Sequence, residues 1–192
     1  MKTLARCGMA VFGLLLVSGM AAGEQPQKQG ESRSALVTRG GIDLNLRGAE
    51  IILRAAREKA TEMKLLVNIA IVDDGGHPLA FARMDGARPA SAYTALTKAV
   101  TAATTRGPTG PLPPRAAEPN VLLSISIQNA AAASGGKFTT LYGGVPIEVD
   151  GQVIGAVGVG GATGEQDAEI ARAGIAALLE ALRGESDGSR RE

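Results

Sequence analysis

The 192-residue chain has no tryptophan, two tyrosines and three phenylalanines, so aromatic residues make up 3% of it. That is poor material for stacking on bases or sugars. A single cysteine, Cys7, and a single histidine, His77, exclude a disulfide framework, a thiolate metal centre and any two-histidine metal motif. Charge of one sign is lacking too: 20 Lys and Arg stand against 19 Asp and Glu, a formal net of +1. Nothing in that balance points to nucleic acid or to acidic lipid. The longest apolar run, Met9–Val17, is shorter than the roughly 20 residues that a membrane-spanning helix needs.

That run has another use. Lys2 and Arg6 precede it and the small residues of Ser18–Gly23 follow, which is the pattern of a secretory signal peptide over residues 1–23. Cleavage would give a mature start between Ala22 and Glu24, a periplasmic or secreted location, and 18 basic residues against 19 acidic ones. Cys7 would leave with the leader. Residues 24–41 are polar and aperiodic and read as a disordered lead. The domain is expected over 42–183, with a flexible tail over 184–192.

Within the domain, Asn45 can cap a helix whose apolar residues Leu46, Ala49, Ile52, Leu53, Ala56, Ala60 and Met63 recur at three and four. Leu65–Val72 is apolar on both faces and reads as a covered strand. Asp73-Asp74-Gly75-Gly76 is a hairpin turn and Pro78–Met84 the return strand. A second helix over about Pro89–Thr105 carries a shallow alanine stripe, suited to a sheet or to another subunit. The proline-rich stretch Arg106–Arg115 is a loop. Residues 121–128 alternate as a strand would, whereas Ala130–Ala133 favour a helix, and periodicity leaves the segment open. Val145–Val149 and Gln152–Val159 flank Asp150-Gly151, a two-residue hairpin pair. Thr163 and Gln166 have capping-box spacing ahead of a last helix that buries Ala171, Ile175, Leu178 and Leu182. The order implies a single-domain α+β fold with a mainly antiparallel sheet and packed helices.

AIVDDGGHPLAFARMDGARPAS (70–91), TALTKAVTAAT (94–104), GGVPIEVDGQVIGAVGVGGATGEQD (143–167) and the last helix resemble the GlcG/HbpS-like family, over about residues 43–183. The resemblance implies a profilin-like sandwich that forms homo-oligomers. It implies haem as a cofactor, since some exported members bind it, and it assigns no general catalytic activity.

Candidate ligand residues follow from side-chain chemistry. His77 is a candidate haem-iron ligand at the hairpin mouth; the plainer alternative is a turn histidine facing water. Tyr93, Tyr142, Met63 and Met84 are other axial choices. Lys98, with Thr101 one turn on and Thr94 and Thr97 one turn back, suits a carboxylate or haem propionate. Arg83, Arg88 and Arg106 are further cations, best read as surface charges except that Arg83 belongs with the pocket. On this reading Lys98→Ala weakens the ligand ten- to a hundredfold and leaves the fold intact, alanine being the better helix former. The expected pocket lies between the Asp73–Pro78 turn, the second helix and the glycine turn before the last helix. Gly158–Thr163 lacks the final glycine of a dinucleotide-binding loop, and Glu165 and Asp167 already satisfy the helix dipole there. Ser91 or Ser134 with His77 and Asp73 makes no recognisable catalytic motif. The reading is an exported, non-catalytic haem- or tetrapyrrole-binding protein. The alternative is an enzyme or accessory protein for a small carboxylate such as a hydroxy acid.

Overall fold

A computed structural model describes residues 41–110 and 120–188. The expected leader and lead, Cys7, the proline-rich stretch beyond Gly110 and the last four residues lie outside the described residues. The elements run α1 (Leu46–Glu62), β1 (Asn68–Asp73), β2 (Pro78–Arg83), α2 (Ser91–Thr105), α3 (Val121–Ala133), β3 (Gly144–Val149), β4 (Gln152–Gly160) and α4 (Gly164–Gly188). The four strands form one antiparallel sheet in the order β2-β1-β4-β3. The class is α+β.

Local chemistry places the elements. Asn45 accepts the Gly48 N–H at 2.9 Å and starts α1. Asp150 and Gly151 both take positive φ, 50° and 76°, as a two-residue hairpin turn between β3 and β4 requires. Thr163 Oγ1 accepts the Gln166 N–H at 3.3 Å, while the Thr163 N–H donates to Gln166 Oε1 at 3.2 Å, closing the capping box of α4.

The two faces of the sheet are packed differently. Ile69 and Ile71 of β1 join Ile52 of α1 and Ile170 of α4 in a large aliphatic core. Burying each such side chain contributes roughly 1.5–3 kcal/mol. On the opposite face Ala70, Val72 and Ala156 meet the alanine stripe of α2, Ala95, Ala99, Ala102 and Ala103. Small residues let α2 sit almost on the strands: a Cβ added at Gly158 would collide with the Ala95 carbonyl and the Ala99 amide. The stripe is therefore consumed by the sheet and is not a subunit contact.

The structure decides one segment that the sequence left open and departs from its pattern in another. Residues 121–133 are a helix, α3, capped by Asn120, whose Oδ1 accepts the Leu123 N–H at 2.9 Å. None of its residues is buried, so their strand-like alternation meets no sheet. The last helix continues beyond Arg183 to Gly188, and Leu182, expected inside, is 37% exposed.

Candidate functional site

Lys98 points from α2 away from solvent and is 4% exposed. Its Nζ donates to Asp167 Oδ2 at 2.7 Å and to the Val159 carbonyl at 2.8 Å. Asp167, in the first turn of α4, is 1% exposed, and its Oδ1 accepts the Ala162 N–H at 3.2 Å. Burial pushes the Asp167 carboxyl above its ordinary value, against the opposing pull of Lys98, the Ala162 amide and Arg88. Gly143 closes over the pair at φ +120°, where a Cβ would press on Asp167 Cβ and Lys98 Nζ. Lys98 thus ties α2 to the end of β4 and the start of α4. This corrects the expectation that Lys98→Ala leaves the fold intact, because that change strands a buried carboxylate. Asp167, read from sequence as a dipole residue, is the partner. A lone lysine in an Ala/Thr helix called for a counter-charge, and that was the available signal.

The threonines serve the helix first. Thr94 donates to the Ser91 carbonyl at 3.0 Å, Thr97 to the Tyr93 carbonyl at 3.0 Å and Thr101 to the Thr97 carbonyl at 2.7 Å. Thr101 is 2% exposed and also accepts the Thr139 N–H at 2.9 Å, which pins the segment before β3 along α2. Arg83 is exposed on the edge strand β2 and borders a cleft with Arg54 and Arg57 of α1, apart from the cavity beside Lys98. Tyr93 is 77% exposed, and the Tyr142 hydroxyl accepts from Arg172 at 2.9 Å. Met63 is the C-cap of α1, and Met63 and Met84 both pack against the aliphatic core.

His77 stands at the tip of the β1–β2 hairpin. Its side chain is 82% exposed, with Nδ1 3.3 Å from Asp73 Oδ1, and its backbone N–H donates to the same oxygen at 2.7 Å. The preceding Gly76 lies against Val100 and Thr104 of α2. Lys98 and Val100 are about 200° apart around that helix, so His77 and Lys98 flank it on different sides. The strands add a second separation. Asp73 is opposite Gly155 on β4, whereas Asn68 is opposite Gly160, so the hairpin turn and the glycine turn lie about 17 Å apart along the sheet. Within one chain the expected single pocket joining His77, Lys98 and the glycine turn does not form. The same separation keeps Ser91 from His77 and Asp73. Among the described residues no three His, Cys, Asp or Glu side chains cluster as a metal site.

Thr94 and the glycine turn do border Lys98, as expected, but the sequence did not place Arg88, Ser91 and Leu141–Tyr142 with them. A cavity of about 320 Å³ lies between the first half of α2, Leu141–Tyr142 and the glycine turn, and it is lined by Arg88, Ser91, Thr94 and Lys98 among others. Asn68, wholly buried, supports its edge: Nδ2 donates to the Arg88 carbonyl at 3.1 Å and to the Gly160 carbonyl at 3.4 Å. Its Oδ1 has no hydrogen-bond partner among the described residues. These residues lie up to 92 positions apart in the chain, and no local pattern links them.

An antiparallel sheet carrying two helices on one face and an alanine helix on the other, with a small cavity at its glycine-turn end, defines a layered α+β domain. The chain belongs to the HbpS-like family, whose model, described as haem degrading protein HbpS-like, matches residues 44–176. Protein GlcG of Escherichia coli strain K12 is 43% identical over 118 residues, covering 62% of this chain and 81% of GlcG. Among solved structures, a doubly substituted HbpS of Streptomyces reticuli is 33% identical with a TM-score of 0.59, covering 74% of this chain and 95% of HbpS. A complex of PduOC with haem is 27% identical with a TM-score of 0.58, covering 71% of this chain and 95% of PduOC.

Proposed function

We propose that this chain is an exported, non-catalytic haem-binding protein that acts as a homo-oligomer. The observation that carries the reading is its likeness to PduOC, solved with haem, over 95% of that chain. His77 is the iron ligand in this reading. Its Nδ1 is held near Asp73, which leaves Nε2 to the metal, the usual arrangement for a ligating imidazole with a carboxylate behind it. Apolar surface for the macrocycle is at hand. Thr104, which a Cβ added at Gly76 would meet at 3.4 Å, also borders a cleft of about 320 Å³ lined by Ile127, Ala130 and Phe138. Lys98, Thr97 and Thr101 are positioning residues that hold α2.

The oligomer is supported by α3, which exposes Val121 at 62%, Leu122 at 79% and Ile125 at 48%, apolar surface of the kind that marks contact sites. Export rests on residues 1–23, and places the protein in the periplasm or outside the cell. Titration of the mature protein with haemin should give a saturable Soret band that shifts in His77→Ala. Absence of saturable binding overturns the function. Light scattering that gives a monomer at micromolar concentration overturns the assembly, and intact mass retaining Met1 outside the cytoplasm overturns the cleavage.

A further inference from the structure

The cavity beside Lys98 lies on the other flank of α2 from His77, and its chemistry is one-sided. Ser91 is 5% exposed, lines the cavity, and its hydroxyl has no hydrogen-bond partner among the described residues. The Arg88 guanidinium at the mouth has no ion-pair partner among them either, while its backbone carbonyl is fixed by Asn68. Lys98 uses two of its three ammonium protons on Val159 and Asp167, which leaves one. The Lys98 and Asp167 charges cancel each other. What remains is a guanidinium, an ammonium proton and a hydroxyl able to donate, with the exposed Glu165 as the acidic group at the rim that no lysine neutralises.

We propose that this cavity is a carboxylate-binding site, with Arg88 and Ser91 as direct contacts and Lys98 as the fixed floor. An ionised carboxylate accepts hydrogen bonds and donates none, so it matches a set of free donors. A volume near 320 Å³ is at the small end for ligand pockets and suits a carboxylate of a few carbons. Glu165 disfavours a more highly charged anion such as phosphate. A free small carboxylate and a haem propionate present the same group, and the site stands whether or not the haem reading does.

The full chain, Arg88→Gln and Ser91→Ala are titrated with sodium propionate by calorimetry, and with haemin and haemin dimethyl ester by absorbance. Arg88 is exposed, so its variant keeps the fold even if the serine variant does not. A saturable propionate isotherm weakened roughly tenfold in the variants, with haemin unchanged, establishes the site for free carboxylates. Weakening of haemin but not of its dimethyl ester establishes it for a propionate. If wild type binds no propionate and the variants match it for both haem forms, the proposal is wrong. Failure of wild type to bind haemin removes the haem reading alone and leaves the propionate isotherm to decide.

Discussion

On one flank of α2 an ammonium is 4% exposed and bonded to a carboxylate and a carbonyl; beyond the other flank an imidazole is 82% exposed and touches one carboxylate. Lys98 attracts attention in the sequence as a lone charge amid alanine and threonine, His77 as the single histidine. Their surroundings separate them. A charge withdrawn from water must be paired, and once paired it belongs to the framework. A group left in water with a free nitrogen keeps its chemistry for a ligand. Lys98 belongs to the framework, whereas His77 faces solvent.

The sharpest way to break this contrast is Lys98→Ala. It leaves Asp167 buried without its counter-charge, and losing one partner of a buried pair costs about 3–5 kcal/mol. Urea denaturation at neutral pH should show that loss. Replacing both partners, Lys98→Met with Asp167→Leu, should recover most of it, since no lone charge remains. A single variant within about 1 kcal/mol of wild type would return Lys98 to the ligand side of the comparison.

Next in size is Gly158→Ala. Its new methyl meets the Ala95 carbonyl and the Ala99 amide, so α2 must lift from β4. Overpacking of that kind costs about 1–3 kcal/mol. The control is Gly184→Ala in α4, where nothing lies within 4 Å of the added Cβ and alanine is the better helix former. The two variants should change the urea midpoint in opposite directions.

What the sequence disclosed, and what it hid, divides by range. The Asn45 cap, the Asp150-Gly151 turn and the Thr163–Gln166 box are contacts within three residues, and each forms where its pattern lies. The two covered faces of β1 also follow from its own alternation. The Lys98–Asp167 bond spans 69 positions and the Asn68–Gly160 bond 92, and neither end announces the other. Family resemblance placed Lys98 within a matched block but not which way it points. The α3 segment stayed open in the sequence for a different reason: none of its residues is buried, and among the described residues no strand or helix covers its apolar side chains to enforce a period.

The pH dependence sharpens the buried side. Burial raises the Asp167 carboxyl above its ordinary 3.8, so the folded chain binds the proton more tightly than the unfolded one. Its contribution is full below that ordinary value and is lost as pH rises through the raised folded value. The stability of wild type minus that of Asp167→Asn should therefore fall as pH climbs across this window and then level. A difference that rises instead would mean that Lys98 outweighs burial at this carboxyl.

The smallest effect on stability belongs to His77→Ala, and it tests the exposed side. The imidazole is 82% exposed, and the turn keeps its other ties: the Asp73 N–H donates to the residue-77 carbonyl at 2.9 Å, and the residue-77 N–H donates to Asp73 Oδ1 at 2.7 Å. Neither bond uses the imidazole, so alanine preserves both. Surface changes away from buried networks stay within about 0.5 kcal/mol, and the urea midpoint should hardly move. If His77 ligates iron as proposed, the haemin spectrum should move instead, because the axial nitrogen is lost while the apolar cleft beside α3 remains. His77→Gln keeps a polar side chain without the imidazole and should follow alanine. If the unfolding free energy drops by more than about 1 kcal/mol while the Soret band stays in place, His77 is a turn residue, and iron must find its ligand elsewhere.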